Sequence, residues 1–287
     1  MSQKSQGVEI MAWQDIEKAG GLAVITGGAN GVGFAAAEFL AASGFDLLLA
    51  DISEEALGRA AEALASSGVV VQTQVTDVSN AEAVSDLADK AFGLGDVALV
   101  MNNAGIGIGS STWEDSAAWR KTFDVNFFGV LNGVQAFVPR MIAAGRPAAV
   151  INTGSKQGIT TPPGNPAYNA AKAAVKVLTE QLAHELREAG APIDAHLFVP
   201  GFTYTGMIAA FMPEKPPGAW TSKECITYLF QRVSQGDFYI LCPDNMVDEA
   251  TDARRVLWGA GDIAENRPPL SRWHPDWQEA FANFEKG

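Results

Sequence analysis

Leu22-Ala23-Val24-Ile25-Thr26-Gly27-Gly28-Ala29-Asn30-Gly31-Val32-Gly33 begins as an apolar, β-prone run and ends as a glycine-rich turn. The Ala-rich stretch to Ser43 then predicts a helix. A strand that enters a helix through glycines is a phosphate-binding geometry. A Cβ in the turn would collide with a pyrophosphate or with the packed helix, and the first helical N–H groups carry partial positive charge. Gly27, Asn30, Gly31, Val32 and Gly33 are therefore candidate cofactor contacts. The same turn in isolation also serves ordinary chain reversals, so its setting has to be read.

Outward from this stretch the rhythm repeats. Strands are predicted at Asp46–Asp51, Val69–Val75, Val97–Met101, Ala148–Thr153 and Ile193–Val199. Helices are predicted at Glu54–Ser67, Asn80–Phe92, Pro166–Glu188 and over a long region from about Ser116 to Ala144. Alternation of this kind builds βαβ units, hence an α/β fold with a parallel sheet and helices on both faces. After Pro200 no clear period is visible until a helix at Ser222–Ser234, an apolar run at Phe238–Cys242 and a helical stretch at Asp248–Gly259. If that apolar run joins the sheet, residues 1–287 form one domain, with 203–236 as a lid over substrate and 243–287 as a C-terminal extension. Residues 1–20 read as a short leader.

Composition narrows the function. The 287 residues carry 20 basic and 33 acidic side chains, a net charge of −13. This opposes general affinity for nucleic acid or anionic lipid, both of which demand a basic face. No uninterrupted run of about 18 apolar residues marks a membrane span. The N-terminal segment lacks a signal-peptide core, so a cytoplasmic location is expected. Cys225 and Cys242 match no metal or disulfide spacing and read as reduced, partly buried thiols. The three histidines are scattered, and His184-Glu185-Leu186-Arg187-Glu188 lacks the second histidine of a zinc helix, so no metal site is expected.

The second strand ends at Asp51, about 20 residues beyond the glycines, where an acid accepts ribose hydroxyls and repels a 2′-phosphate. No Arg or Lys stands at Asn30 or Ile52 to bind that phosphate. NAD is therefore expected in preference to NADP. Asp51 also fits a helix cap, although Ser53 suits that task better. Asp77, ahead of Val78, reads equally as an adenine contact and as a cap. Asn102-Asn103-Ala104-Gly105 lets backbone pass close to a ligand.

Ser155, Tyr168 and Lys172 form a candidate catalytic group. Ser155 follows a strand at the edge where open α/β sheets hold ligands. Tyr168 and Lys172, four apart on a predicted helix, share one face. A tyrosine near its usual pKa of about 10 is a poor base at neutrality, and a drop to about 7 takes roughly 4 kcal/mol. A neighbouring ammonium and a cationic nicotinamide supply stabilisation in that direction. Taken singly, each residue has a bland structural reading. Lys156, beside Ser155, reads as an exposed surface lysine.

The ordered set Thr26-Gly27-x-x-x-Gly31-x-Gly33, Asn102–Gly105, Asn126, Ser155, Tyr168-x-x-x-Lys172 and Pro200-Gly201 closely resembles the short-chain dehydrogenase/reductase family over about residues 20–205. The resemblance implies a Rossmann-type doubly wound parallel sheet of about seven strands in a three-layer α/β/α arrangement. It implies Tyr168 as general acid/base, Lys172 on the nicotinamide ribose, Ser155 orienting substrate, and Asn126 holding a water in a proton relay. It places Pro200, Gly201, Phe202, Thr203 and Thr205 near the nicotinamide. It also implies a homodimer or homotetramer built on the helices at about 116–144 and 166–188. The segments Phe238–Asn245 and Asn266–Pro275 resemble the tails of bacterial dehydrogenases of bulky aryl alcohols, including lignin-derived ones. Ile106, Ile108, Gln157, Pro162, Met207, Ile208, Phe211, Met212 and Trp220 are candidate pocket residues, mostly apolar, which points to an apolar or aromatic small-molecule ketone or secondary alcohol. Two other functions share parts of the pattern. A catalytically silent dinucleotide-binding sensor would not need the Ser, Tyr and Lys set, and a sugar-nucleotide epimerase or dehydratase fits the glycine spacing and Asn102–Gly105 poorly.

Overall fold

The structure, a computed structural model, describes residues 13–209 and 212–286. Short helix α1 (Trp13–Ala19) precedes the first unit, β1 (Leu22–Thr26), α2 (Gly31–Ala42) and β2 (Asp46–Asp51). Then come α3 (Glu54–Leu64), β3 (Val71–Val75), α4 (Ala81–Leu94) and β4 (Val97–Asn102). Helix α5 (Ser116–Phe123) passes through a π turn, Asp124–Phe128, into α6 (Gly129–Ala144), followed by β5 (Ala148–Thr153) and α7 (Gln157–Thr160). Helix α8 (Pro166–Glu188) and β6 (Ile193–Val199) complete the last regular unit. Beyond it lie β7 (Thr203–Tyr204), α9 (Gly206–Ala209), β8 (Trp220–Thr221), α10 (Ser222–Val233), β9 (Tyr239–Leu241), α11 (Glu249–Ala264) and α12 (Gln278–Lys286).

Seven strands form one sheet in the order β3-β2-β1-β4-β5-β6-β9, every pair parallel. This is the Rossmann-like three-layer arrangement. The order reverses direction between β1 and β4, which opens a crevice above their C-terminal ends. Strand side chains alternate between the two faces. Ala23, Ile25, Leu47, Leu49 and Leu99 meet α2, α3 and α10 on one side. Leu22, Val24, Leu48, Val100 and Val150 meet α4, α6 and α8 on the other.

Some expectations need correction. Part of the supposed leader is α1, whose Trp13 and Ile16 are buried. The Trp13 ring lies 5.8 Å from Phe45 and 5.1 Å from Phe230, so it extends the core. The long helix at 116–144 is interrupted by the π turn. By length and composition this span is apolar enough to cross a membrane, yet Phe137, Val138 and Met141 are buried against the sheet. The aperiodic stretch after Pro200 contains the small pair β7–β8. The apolar run near 238–242 does join the sheet, as β9 beside β6. The tail forms its own aromatic cluster, with Trp258 buried among Trp277, Phe281 and Phe284.

Candidate active site

A cleft of about 820 Å³ lies over the C-terminal ends of the central strands. One end is built by the turn between β1 and α2. Gly27 and Gly31 have φ of 62° and 55°, the left-handed region that favours glycine. A Cβ on Gly33 would stand 2.1 Å from the Gly27 carbonyl oxygen, so the helix can approach the turn only with glycine there. Asn30 caps α2 without a side-chain hydrogen bond, and Gly31 and Val32 line the cleft. The first-turn N–H groups are thus available to an anion. Asp51, at the end of β2, also lines the cleft. Its carboxylate accepts hydrogen bonds from the Ala29 N–H at 3.3 Å and the Ser53 N–H at 3.2 Å. Ser53 caps α3, accepting from the Ala56 N–H.

The middle of the cleft is held by asparagines. The Asn103 side chain donates to the Thr26 and Gly27 carbonyls at 3.2 and 3.3 Å, and the Thr26 hydroxyl accepts from the Asn103 N–H at 2.9 Å. Asn126, buried in the π turn, accepts from the Ile106 N–H at 2.8 Å and donates to the Ile106 carbonyl at 2.9 Å. Both polar ends of Asn126 are therefore engaged in fixing the loop after β4. A Cβ on Gly105 would meet Asn126 Oδ1 at 3.2 Å and Lys172 Nζ at 3.8 Å, which sets how close that loop runs.

The far end carries Ser155, Tyr168 and Lys172. Helix α8 begins at Pro166, a residue preset for a first helical position. It packs through Ala167, Ala171, Val175 and Thr179, a stripe at one-turn spacing. Tyr168 and Lys172 follow that stripe by one residue, so both turn toward the cleft that they line. Lys172 Nζ donates to the Thr153 carbonyl at 2.7 Å and lies 5.9 Å from the centre of the Tyr168 ring. A Cβ on Gly158 would lie 2.5 Å from the Lys172 carbonyl carbon, so glycine lets α7 sit against α8 and bring Ser155 alongside. The Ser155 hydroxyl accepts from the Gln157 N–H at 3.2 Å and lines the cleft together with Tyr168 and Lys172.

Electrostatics differ from the expectation. Burial raises the Tyr168 pKa, and the nearby Ser155 hydroxyl opposes that only in part. Burial also pushes Lys172 down to about 8. The protein alone does not favour the phenolate, because desolvation outweighs the help from the Ser155 hydroxyl.

Residues 21–216 match the family model for short chain dehydrogenases, more than half of the chain. The chain belongs to the short-chain dehydrogenase family. Among relatives of this oxidoreductase family is 1-deoxy-11-beta-hydroxypentalenate dehydrogenase of Streptomyces exfoliatus. It is 35% identical over 258 residues, covering 88% of this chain and 93% of that one. The solved structure of a short chain dehydrogenase/reductase from Burkholderia phymatum in complex with NAD is 35% identical. It superposes with a TM-score of 0.80 over 87% of this chain and 96% of that one. The apo form of LigD from Sphingobium sp. strain SYK-6, at 24% identity and a TM-score of 0.68 over 92% of this chain and 94% of that one, shares the fold.

The family cleft gathers most of the residues singled out in the sequence. Gly27, Asn30, Gly31, Val32, Asp51, Asn103, Ala104, Gly105, Pro200, Gly201, Phe202, Thr203 and Thr205 all line it, with Ser155, Gln157, Tyr168, Lys172 and Ile208. Others stand elsewhere. Ile52 is exposed. Asp77 accepts from the Ser79 N–H and hydroxyl at 3.0 and 2.6 Å, a local turn that holds its carboxyl below the usual range. Val78 packs on Gly129. Of the pocket candidates, Ile106 is half-buried and packs against the core rather than lining the cleft, and the Trp220 indole donates to Asn245 away from the cleft. Ile108, Pro162 and Met212 do not line it. Phe211 and the Met207 side chain lie outside the described residues.

Sequence reasoning missed Asp244, Val247 and Arg255, which line the cleft from the C-terminal extension. It also misread Lys156. That side chain is only 20% exposed and its Nζ lies 2.6 Å from Asp252 Oδ2 and 3.7 Å from Asp244 Oδ2. Asp244 follows the last strand at the ligand edge of the sheet, and that position is the signal that would have found it.

Proposed function

We propose that this chain is an NAD-dependent dehydrogenase that interconverts a secondary alcohol and a ketone. The convergence of Ser155, Tyr168 and Lys172 at one end of a cleft whose other end carries Asp51 and the glycine turn supports this reading. The donor set fits a dinucleotide. Two left-handed glycines and uncapped helical N–H groups suit a pyrophosphate, and a carboxylate at the end of β2 suits ribose hydroxyls. Asp51 disfavours a 2′-phosphate by like-charge repulsion, hence NAD over NADP. The relative from Burkholderia phymatum was crystallised with NAD, which agrees. Bound nicotinamide supplies the hydride acceptor for oxidation and the donor for reduction.

This chain's residues handle the proton and the geometry. Tyr168 takes the proton from the substrate hydroxyl and returns it in the reverse direction. Ser155 holds the substrate oxygen by a hydrogen bond and stabilises charge developing there. Lys172, 5.9 Å from the centre of the Tyr168 ring, would favour the phenolate together with the positive charge of a bound oxidised nicotinamide. Asn126 positions the loop at Gly105–Ile106. The substrate end is mixed in character, with Phe202, Ile208 and Val247 beside Gln157, Asp244 and Arg255. A substrate with an apolar body and a polar end suits it better than a hydrocarbon-like ketone. Exposed Phe128, Ile142 and Val177 on the helices at 116–144 and 166–188 support a homodimer or homotetramer through those helices, which sedimentation would test.

The deciding measurement is turnover of a panel of secondary alcohols and ketones with NAD/NADH and NADP/NADPH, repeated with Tyr168→Phe. Turnover should fall by about 10²–10⁴-fold while NADH binding persists. An unchanged rate in Tyr168→Phe would exclude the mechanism. Binding of NADH with no turnover of any alcohol or ketone would instead favour a sensor.

A further inference from the structure

Three segments that wall the far end of the cleft meet at one side chain. Lys156 follows Ser155 directly and its Nζ lies 2.6 Å from Asp252 on α11. Asp252 is 5% exposed, so this is a buried pair. The same Nζ is 3.7 Å from Asp244. Asp244 itself accepts from the Phe202 N–H at 3.3 Å and from the Met246 and Val247 N–H groups at 3.0 and 2.9 Å. One cation therefore links the Ser155 loop, the Phe202 loop and the helix of the C-terminal extension. The family match ends at residue 216, so both carboxylates lie beyond it.

A buried pair of this kind is weak evidence for stability, because desolvation offsets much of the attraction. Its better-attested use is to fix one arrangement among several. The desolvation is visible here, since burial raises the Asp252 carboxyl against the pull of Lys156. Beside the pair, α11 sends Arg255 into the cleft. Among the described residues Arg255 bonds only Glu285, through Nε at 2.7 Å. Arg255 thus brings a guanidinium to the cleft wall with only its Nε engaged among the described residues.

We propose that Lys156 is a positioning residue, whose bridge to Asp244 and Asp252 sets Ser155 against Tyr168 and holds α11 as a fixed wall of the substrate end. The proposal rests on the dehydrogenase reading above. Loss of the bridge frees the Ser155 loop to shift, so the hydroxyl no longer meets the substrate oxygen in the geometry that proton transfer needs. The dinucleotide end, built by β1, α2 and β2, is untouched.

The test is steady-state kinetics, NADH affinity by fluorescence, and hydrogen exchange, on the full chain and four variants: Lys156→Met, Lys156→Arg, Asp252→Asn, and the exchanged pair Lys156→Asp with Asp252→Lys. Lys156→Met and Asp252→Asn should each lower kcat at least tenfold with NADH affinity within twofold of wild type. Amide exchange should rise together in residues 155–160 and 249–264. Lys156→Arg, which keeps the charge, should recover most of kcat. If Lys156→Met does not fold, Asp252→Asn and the exchanged pair carry the comparison. Unchanged kcat in Asp252→Asn overturns the proposal, as does a kcat loss matched by an equal loss of NADH affinity, which marks general damage. An inactive wild-type chain overturns the dehydrogenase reading instead, and the positioning role with it.

Discussion

Lys172 shows how burial and charge compete at one residue. Its ammonium is taken out of water and its pKa falls from 10.5 to about 8. The folded state therefore holds this proton less tightly than the unfolded chain. The resulting destabilisation is fully present below pH 8 and fades as pH rises toward 10.5. Relative to Lys172→Met, wild-type stability should rise across that window, which urea unfolding at a series of pH values would show. A flat difference would mean that the amine is better hydrated than its surroundings indicate. At the opposite end of the cleft, Asp51→Ala should reduce the NAD-to-NADP ratio of kcat/KM by about tenfold or more, equivalent to ~1.4 kcal/mol. Residues such as Asp51, Tyr168 and Lys172 are legible in sequence because short-range geometry places them: a strand end, or two positions one helical turn apart. Lys156 is not, since its partners lie far along the chain and nothing local distinguishes it from a solvated lysine.

Close contacts between elements decide where the side chains sit. Helix α6 crosses β4 at Gly133, where a Cβ would stand 2.0 Å from Asn102 Oδ1. Asn102 donates to Asn152 at 2.8 Å, and Asn152 donates to Thr179 on α8 at 3.1 Å, so one buried chain of hydrogen bonds ties β4, β5 and α8 together. Gly133→Ala should cost about 1–3 kcal/mol, because the added methyl must displace a bonded amide. The urea midpoint should drop with an unchanged m-value. Most strands and helices were readable from apolar period and turn residues. The π turn at Asp124–Phe128 was not, because one extra residue in a turn leaves an apolar pattern looking helical throughout. Its effect is local and specific: it seats Asn126 against Ile106.

Across the whole molecule, an aliphatic core around the sheet is joined at the cleft by a tail with an aromatic cluster of its own. Trp258 is buried among Trp277, Phe281 and Phe284, and the Arg267 guanidinium lies 4.2 Å from its ring centre. Trp258→Ala should remove about 3–5 kcal/mol of local packing. Because the tail has its own cluster, the loss should appear first as faster proteolysis within residues 249–286, ahead of sheet unfolding. The period of the central βαβ units made the sheet legible. The tail was only partly so, since its Pro- and Trp-rich composition sets no period and its contacts are made with distant parts of the chain.

The bridge from Lys156 to Asp252 also bears on how such enzymes can be recombined. A chimaera that grafts a relative's last ~45 residues, from about position 243, onto this sheet keeps Lys156 but replaces both of its counter-ions. Donor tails should therefore be tolerated only when acids matching Asp244 and Asp252 travel with them, and sequence pairing at these positions becomes a rule for choosing parents.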